Sequence, residues 1–329
     1  MKMALLEVRN LTVTLKTRRG KARAVRDLNF KIDRGATIGI VGESGCGKSM
    51  AGLAMMGLLP DGAIATGEVL LDGVNLLNEP ESSLRHIRGK RMAMVFQEPM
   101  TSLNPVHTVG RQVSEALRIH KKIGARAAVS EATAMLRRVE LRDPQRQINS
   151  YPHQLSGGER QRVMIAIALA CGPDILIADE PTTALDVTIQ RQILDLIAGL
   201  VEEFDMGLLL ISHDLAIIAQ RVQRLLVMYG GACVEEGETR AVFAGVAHPY
   251  TLGLMAAMPR FDGTLDRLPT ILGTVPAIED LPPGCPFAGR CELTIGACHE
   301  ITPDWSEIGP DHTARCLRLD AVREREAAS

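Results

Sequence analysis

The sequence predicts an α/β fold with a largely parallel sheet, a helical insert and an appended cysteine-rich region. Three observations carry that expectation. Gly42–Ser49 reads Gly-Glu-Ser-Gly-Cys-Gly-Lys-Ser and lies between the apolar runs Thr37–Val41 and Met50–Leu59. Short apolar strands at Ile175–Ala178, Leu208–Ile211 and Arg224–Met228 alternate with helical stretches, the pattern of parallel strands with crossovers. Beyond about Arg240 the composition shifts to Pro, Gly and Cys.

Bulk properties bound the function. A chain of 329 residues exceeds one simple core, so two domains or one elaborated domain are expected. Its 46% hydrophobic and 23% charged residues are those of a globular protein. A net charge of −2 gives no general attraction to nucleic acid, and 3% aromatics leave few stacking platforms for single strands. The N-terminal Met1–Glu7 lacks signal-peptide character, and Val163–Ala178, the longest apolar stretch, is broken by Gly172, Pro173 and Asp174. A soluble, cytoplasmic chain is expected.

Taken in order, Leu5–Leu15, Thr17–Lys21 and Ala24–Ile32 read as strand-like segments separated by polar turns, which suits an antiparallel sheet leading into the strand Thr37–Val41. Thr66–Leu77 reads as a strand pair about the turn Asp72-Gly73, and Arg91–Gln97 as a short buried strand. From Pro99 to about Leu155 the texture is helical. Ser130–Leu141 sets Ala132, Met135, Leu136 and Val139 on one face, with Asp143-Pro144 as its stop. The Gly230–Gly237 stretch closes the core with a turn or short hairpin.

Three segments carry chemistry. In Gly42–Ser49 the glycines Gly42, Gly45 and Gly47 let the backbone curl so that its N–H groups face an anion. Glu43, Ser44 and Cys46 fill the variable positions, and the following helix adds its positive end. Lys48 is placed to reach the β- and γ-phosphates and Ser49 to ligate Mg²⁺. Strand Ile175–Ala178 runs into Asp179 and Glu180 at its carboxyl end, where α/β sheets bind ligands. Asp179 suits the Mg²⁺ shell, and Glu180 is left to orient or deprotonate a water. Leu155–Gln161 places Ser156, Gly157, Gly158 and Glu159 before the apolar helix Val163–Cys171. That is either an ordinary helix cap or a second anion-binding surface. Two such surfaces in one chain suggest a dimer in which each chain's second surface closes over its partner's nucleotide.

With these segments in place, residues 5–240 resemble the ATP-binding subunit of an ABC transporter: a P-loop NTPase ABC ATPase core with a helical subdomain at about 98–160. Gly42–Ser49 is similar to Walker A, Asp179-Glu180 to the end of Walker B and Leu155–Gln161 to the family signature. Gln97, in Phe96-Gln97-Glu98-Pro99, matches the Q-loop glutamine that contacts Mg²⁺ and the attacking water. Ala184-Leu185-Asp186 resembles the D-loop, and His213 the switch histidine sensing the γ-phosphate. The resemblance implies ATP and Mg²⁺ as ligands, with Glu180, Gln97 and His213 as catalytic groups. One departure is Leu15, which stands where the family carries an adenine-stacking aromatic; base contact is then either looser or supplied by a neighbouring aliphatic face.

The tail, residues 241–329, narrows the resemblance. His248-Pro249-Tyr250-Thr251, an apolar helix and Pro-rich segments look like the C-terminal extension of oligopeptide/dipeptide importer ATPases. Cys285, Cys291, Cys298 and Cys316 are separated by five, six and seventeen residues. In an intracellular chain such a group reads as metal ligands before disulfides. It is similar to a tail holding a [4Fe–4S] iron–sulfur cluster; four thiolates also suit Zn²⁺, although the close C-x-x-C pairing is absent. His299 and His312 read as solvated loop residues. The resemblance implies a peripheral protein on the cytoplasmic face of the membrane. It further implies two transmembrane permease subunits, a second homologous ATPase and an extracytoplasmic substrate-binding protein. The cargo would be dipeptides or oligopeptides. Nickel import, or a soluble ABC ATPase acting on DNA or ribosomes, are the alternatives. The single uninterrupted cassette and the absence of basic excess count against the last.

Overall fold

A computed structural model describes residues 4–183, 185–258 and 270–327. The chain opens with two long strands, β1 (Leu6–Thr17) and β2 (Gly20–Ile32), then β3 (Thr37–Val41), whose last four residues are buried. Helix α1 (Lys48–Met55) starts directly from the glycine-rich loop. Strands β4 (Ile64–Leu71) and β5 (Val74–Asn75) flank Asp72 and Gly73, both at positive φ (47° and 82°), as a two-residue hairpin turn demands. Helix α2 (Glu81–Ile87) leads to β6 (Met92–Val95), buried throughout.

The helical insert follows. It comprises α3 (Pro99–Ser102), α4 (Val109–Lys121), α5 (Ala125–Arg138), α6 (Pro144–Gln147) and α7 (Gly157–Leu169). Helix α4 begins where the Thr108 hydroxyl accepts from the Arg111 N–H, and it buries Val109, Val113 and Leu117, four residues apart on one face. Helix α5 buries Ala128, Ala132, Met135 and Leu136 against α4 and α7. Its end differs from the sequence expectation. The chain leaves the helix at Val139, with Glu140 at φ 53°, and Asp143-Pro144 starts the short α6 instead of stopping α5. Proline is well placed at a first helical turn, where no N–H is needed.

The remaining elements are β7 (Ile175–Asp179), α8 (Val187–Glu203), β8 (Gly207–Ser212), α9 (Leu215–Arg221), β9 (Arg224–Tyr229) and β10 (Ala232–Glu238). Then come α10 (Thr239–Ala244), α11 (Pro249–Ala256), α12 (Gly296–Glu300), β11 (Ser306–Gly309), β12 (His312–Ala314) and α13 (Leu319–Ala327). No helix among the described residues is long and apolar enough to cross a membrane.

The chain divides into two compact units. One unit holds the residues up to Leu6, Ile32–Ala36 and Leu71–Leu209. Within it β6 and β7 pair in parallel, Met92 opposite Ile175 and Val95 opposite Ala178, with β8 on the other side of β7. Strands β6, β7 and β8 are buried throughout, and each is an apolar run up to the polar residue that ends β7 (Asp179) and β8 (Ser212). The second unit holds Glu7–Lys31, Thr37–Leu70 and the chain from Leu210 on. Its strands run in the order β4-β1-β2-β10-β9-β3. Here β3 and β9 are parallel, whereas β10 folds back antiparallel on β9 through Gly230-Gly231, both at positive φ. The tail is woven into this unit, because β12 adds to the free length of β10 with Glu235 opposite Ala314.

One ion-pair centre fixes the start of β7. Asp174 accepts from Arg34 at 2.7 Å and from Arg91, while its main chain bonds to Arg91 and Gly207. Burial pushes its carboxyl up, but hydrogen bonds from Arg91 and Arg34 outweigh that and hold it below the ordinary carboxylate range. Its contribution is therefore present above about pH 4 and lost as the pH falls through the depressed value. Asp174→Asn is expected to cost about 2 kcal/mol at pH 7, the scale of hydrogen bonds to charged groups. Urea unfolding of both proteins across the pH range checks this: the gap should persist down to about pH 4 and close below it.

Candidate functional site

In the second unit, the loop between β3 and α1 is built around contacts that exclude a side chain. A Cβ at Gly42 would lie 2.2 Å from the Met228 carbonyl oxygen, and one at Gly47 would lie 2.1 Å from that of Ala24. Gly47 also sits at φ 98°, a conformation L side chains rarely adopt. The loop is thereby pressed between β2 and β9. Lys48 is 4% exposed, and its ammonium donates back to the carbonyls of Gly42 (2.7 Å) and Glu43 (3.1 Å). It spans the mouth of the loop as a buried cation. Cys46 is buried beside it, whereas Ser44 and Gly45 are exposed and Ser49 is half-buried. Such a loop can receive an anion through its amides and Lys48 together. His213 follows β8, exposed, and the next residue, Asp214, caps α9 by accepting from the N–H groups of Ala216 and Ile217. Leu15 is half-buried on β1.

The first unit holds the acidic and signature residues. Asp179 ends β7 and is 4% exposed. Glu180 follows at φ 44°, a left-handed backbone that a non-glycine residue adopts only when its surroundings hold it. Its carboxylate accepts from Gln97 Nε2 at 3.1 Å and Thr183 Oγ1 at 3.0 Å. The structure thus brings together Gln97 and Glu180, 83 residues apart, through an amide donor on a carboxylate.

The signature segment forms a full capping box. Ser156 Oγ accepts from the Glu159 N–H at 3.3 Å, and the Glu159 carboxylate accepts from both the N–H (2.9 Å) and the hydroxyl (2.8 Å) of Ser156. Burial raises the Glu159 carboxyl, but these bonds and one from Gln147 bring it below its ordinary value. Gly157 is exposed, and a Cβ on Gly158 would meet the Ile189 side chain at 2.9 Å. Both readings of the segment survive: it is a helix cap, and it presents exposed groups at a helix N-terminus. Ala184 lies outside the described residues; Asp186 caps α8 through the Ile189 N–H at 3.0 Å.

In the tail, Cys285, Cys291, Cys298 and Cys316 all line one small cavity with His248 and Phe287. The N–H groups of Gly284 and Cys285 donate to the carbonyls of His299 and Cys298, so two of the four cysteines share one short backbone ladder. Burial pushes the Cys285 and Cys316 thiols up to about 11, and the neighbouring cysteines add to the rise. Among the described residues, however, no group of three or more His, Cys, Asp or Glu side chains is arranged to hold a metal ion. The four-cysteine set is gathered at one cavity without closing on one ion.

His312 corrects the sequence expectation of a solvated loop residue. It is 3% exposed and lies 2.9 Å from Glu235, itself wholly buried and also accepting from the N–H groups of Ala247 and His248. His248 is neutral, its value lowered by burial to about 3, and its Nδ1 accepts from the Tyr250 N–H. Sequence reasoning also missed Arg290, whose guanidinium makes a two-pronged ion pair with Glu43 in the glycine-rich loop.

Comparison with known proteins agrees with this geometry. Residues 25–183 match the ABC transporter family model, and residues 234–298 match the oligopeptide/dipeptide transporter C-terminal region. A probable peptide ABC transporter ATP-binding protein of Sinorhizobium fredii is 49% identical, over 97% of this chain and 96% of its own length. The chain belongs to the ABC transporter ATP-binding proteins. An oligopeptide transport ATP-binding protein of Haemophilus influenzae is 44% identical over 95% of this chain and 96% of its own. Among solved structures, a dimeric ATP-binding cassette in a post-hydrolysis state with ADP and phosphate covers 71% of this chain and 99% of its own. Its TM-score is 0.64 and its identity 30%. This ABC ATPase is thus a mixed α/β cassette of the P-loop type, carrying the C-terminal region found in oligopeptide/dipeptide transporters.

Gly47→Ala places a methyl where Ala24 leaves no room. The variant is expected to lose nucleotide binding, to at least about a hundredfold weaker affinity, because a loop displaced by about 1 Å no longer presents its amides together. Titration with a fluorescent ATP analogue measures it.

Proposed function

We propose that this ABC ATPase powers the import of short peptides. It would work from the cytoplasmic face of a membrane beneath two permease subunits, paired with a second ATPase and supplied by an extracytoplasmic binding protein. The observation that carries the reading is one chain matching both the ABC transporter model and the oligopeptide/dipeptide transporter C-terminal region. Relatives named for peptide or oligopeptide transport match along nearly the full length of this chain.

In the proposed mechanism, amides of the Gly42–Ser49 loop other than that of Glu43, together with the Lys48 ammonium, meet the phosphate charge of ATP. Ser49, Asp179 and Gln97 would hold Mg²⁺, which when bound neutralises the β- and γ-oxygens. The donor types fit it: a hydroxyl, a buried carboxylate and an amide oxygen are hard ligands. Glu180 orients the attacking water and takes its proton. The Gln97 amide already donates to that carboxylate, which supports a role in aiming it. His213 would sense the γ-phosphate, and Ser156, Gly157, Gly158 and Glu159 would close the partner's nucleotide. Closure of the pair on ATP and reopening after hydrolysis then alternate the access of the permeases.

Glu180→Gln keeps the shape of the side chain but removes the base. In cells with this variant the transporter should assemble, co-purify its permeases and bind ATP, while steady-state hydrolysis and labelled-dipeptide uptake fall at least about a hundredfold. Undiminished hydrolysis would remove Glu180 from the mechanism; uptake of nickel but not peptide by the wild type would change the cargo.

The same reading assigns Cys285, Cys291, Cys298 and Cys316 to a [4Fe–4S] cluster, with Zn²⁺ as the alternative. The reading rests on the lining of one cavity by all four cysteines. After anaerobic purification, iron and acid-labile sulfide should each approach about four per chain. Stoichiometric zinc without iron would overturn the cluster.

A further inference from the structure

The glycine-rich loop is gripped from outside the cassette motifs. Glu43, its second residue, is clamped by Arg290, with Nη1 donating to one carboxylate oxygen at 2.6 Å and Nη2 to the other at 3.1 Å. The Arg290 side chain is only 5% exposed, and its other donor contacts are filled. Nε donates to the Leu272 carbonyl (2.9 Å), Nη2 also to that of Gly273 (3.2 Å), and Nη1 reaches Tyr229 Oη at 3.4 Å. A guanidinium so saturated has one position, and Glu43 must come to it. A second contact acts on the same residue from another direction. The Glu43 N–H donates to Tyr250 Oη at 2.7 Å, and the Tyr250 ring is wholly buried against Tyr229 and Phe287. Both ends of Glu43 are therefore held, side chain and main chain, by residues 247 and 207 positions downstream.

The nucleotide gains from this in a definable way. The Glu43 carbonyl also accepts from Lys48 at 3.1 Å, so the residue fixed by Arg290 and Tyr250 in turn helps to fix the ammonium. An N–H committed to Tyr250 is not one of the amides offered to an anion, which places the cradle in the remaining loop. We infer that Arg290 and Tyr250 are positioning residues for ATP: they hold Glu43 and, through it, the phosphate loop and Lys48 in the conformation that binds nucleotide. The tail would then be required for nucleotide affinity. The inference rests on reading Gly42–Ser49 as the ATP loop.

The test is equilibrium titration of the purified full chain with a fluorescent ATP analogue and Mg²⁺. Wild type, Arg290→Ala, Arg290→Lys, Glu43→Gln and the Arg290→Ala/Glu43→Gln double variant are compared, each checked for folding by circular dichroism. Arg290→Ala and Glu43→Gln are each expected to bind about tenfold more weakly, and the double variant no more weakly than either, as contacting partners in one path behave. Arg290→Lys should recover part of the loss, since it keeps the charge but not the fork. A merely structural Arg290 would give a loss indifferent to Glu43, so single losses that multiply in the double variant overturn the inference. So does a folded Arg290→Ala with wild-type affinity. Should Arg290→Ala fail to fold, Tyr250→Phe decides, because it deletes only the hydroxyl; a weaker Kd is expected and an unchanged Kd overturns the proposal. A wild-type chain that binds no nucleotide removes the ATP reading itself, which the variants alone cannot do.

Discussion

The absence of space for a Cβ beneath the carbonyls of Met228 and Ala24 is the constraint on which the nucleotide half of this protein depends. It forces glycine at positions 42 and 47 and lets the loop lie against β2 and β9. Lys48 donates back across its own loop to the Gly42 and Glu43 carbonyls. A buried ammonium needs polar partners, and these carbonyls supply two of them. The loop therefore holds a cationic, desolvated concavity that a polyanion improves.

The acidic half is shaped by a different force. Glu180 sits in a backbone conformation unfavourable to its residue type, and its carboxylate is held by the side chains of Gln97 and Thr183. Such strain is tolerated where a group must be aimed. The signature segment shows the opposite economy: its serine and glutamate satisfy each other completely, as an ordinary helix start would. Any ligand recruiting the Ser156 hydroxyl must compete with the Glu159 carboxylate for it.

Much of this was legible in the sequence because it is local. Thr37–Val41, the Asp72-Gly73 turn and the apolar strands 175–178 and 208–211 appear where composition and periodicity put them. The end of α5 was not, because Asp143-Pro144 serves equally to stop one helix or to start the next. The Arg290–Glu43 pair and the burial of His312 on Glu235 were out of reach for another reason. Both join residues far apart along the chain, and nothing in a single arginine or histidine marks its partner. Gathering four cysteines at one cavity was readable from their crowding. Their precise arrangement around it depends on tertiary backbone contacts such as Cys285 with Cys298.

The tail also holds the chain's single tryptophan. Trp305 lies just before β11, 37% exposed, with the Arg315 guanidinium 4.5 Å from its ring centre. Arg315 is the neighbour of Cys316 and donates its N–H to the Val234 carbonyl of β10. Intrinsic fluorescence of this protein is consequently a local instrument. Its emission follows the seating of the cysteine-bearing segment on β10, and a melting curve recorded at tryptophan wavelengths describes that segment's departure while remaining blind to the helical insert.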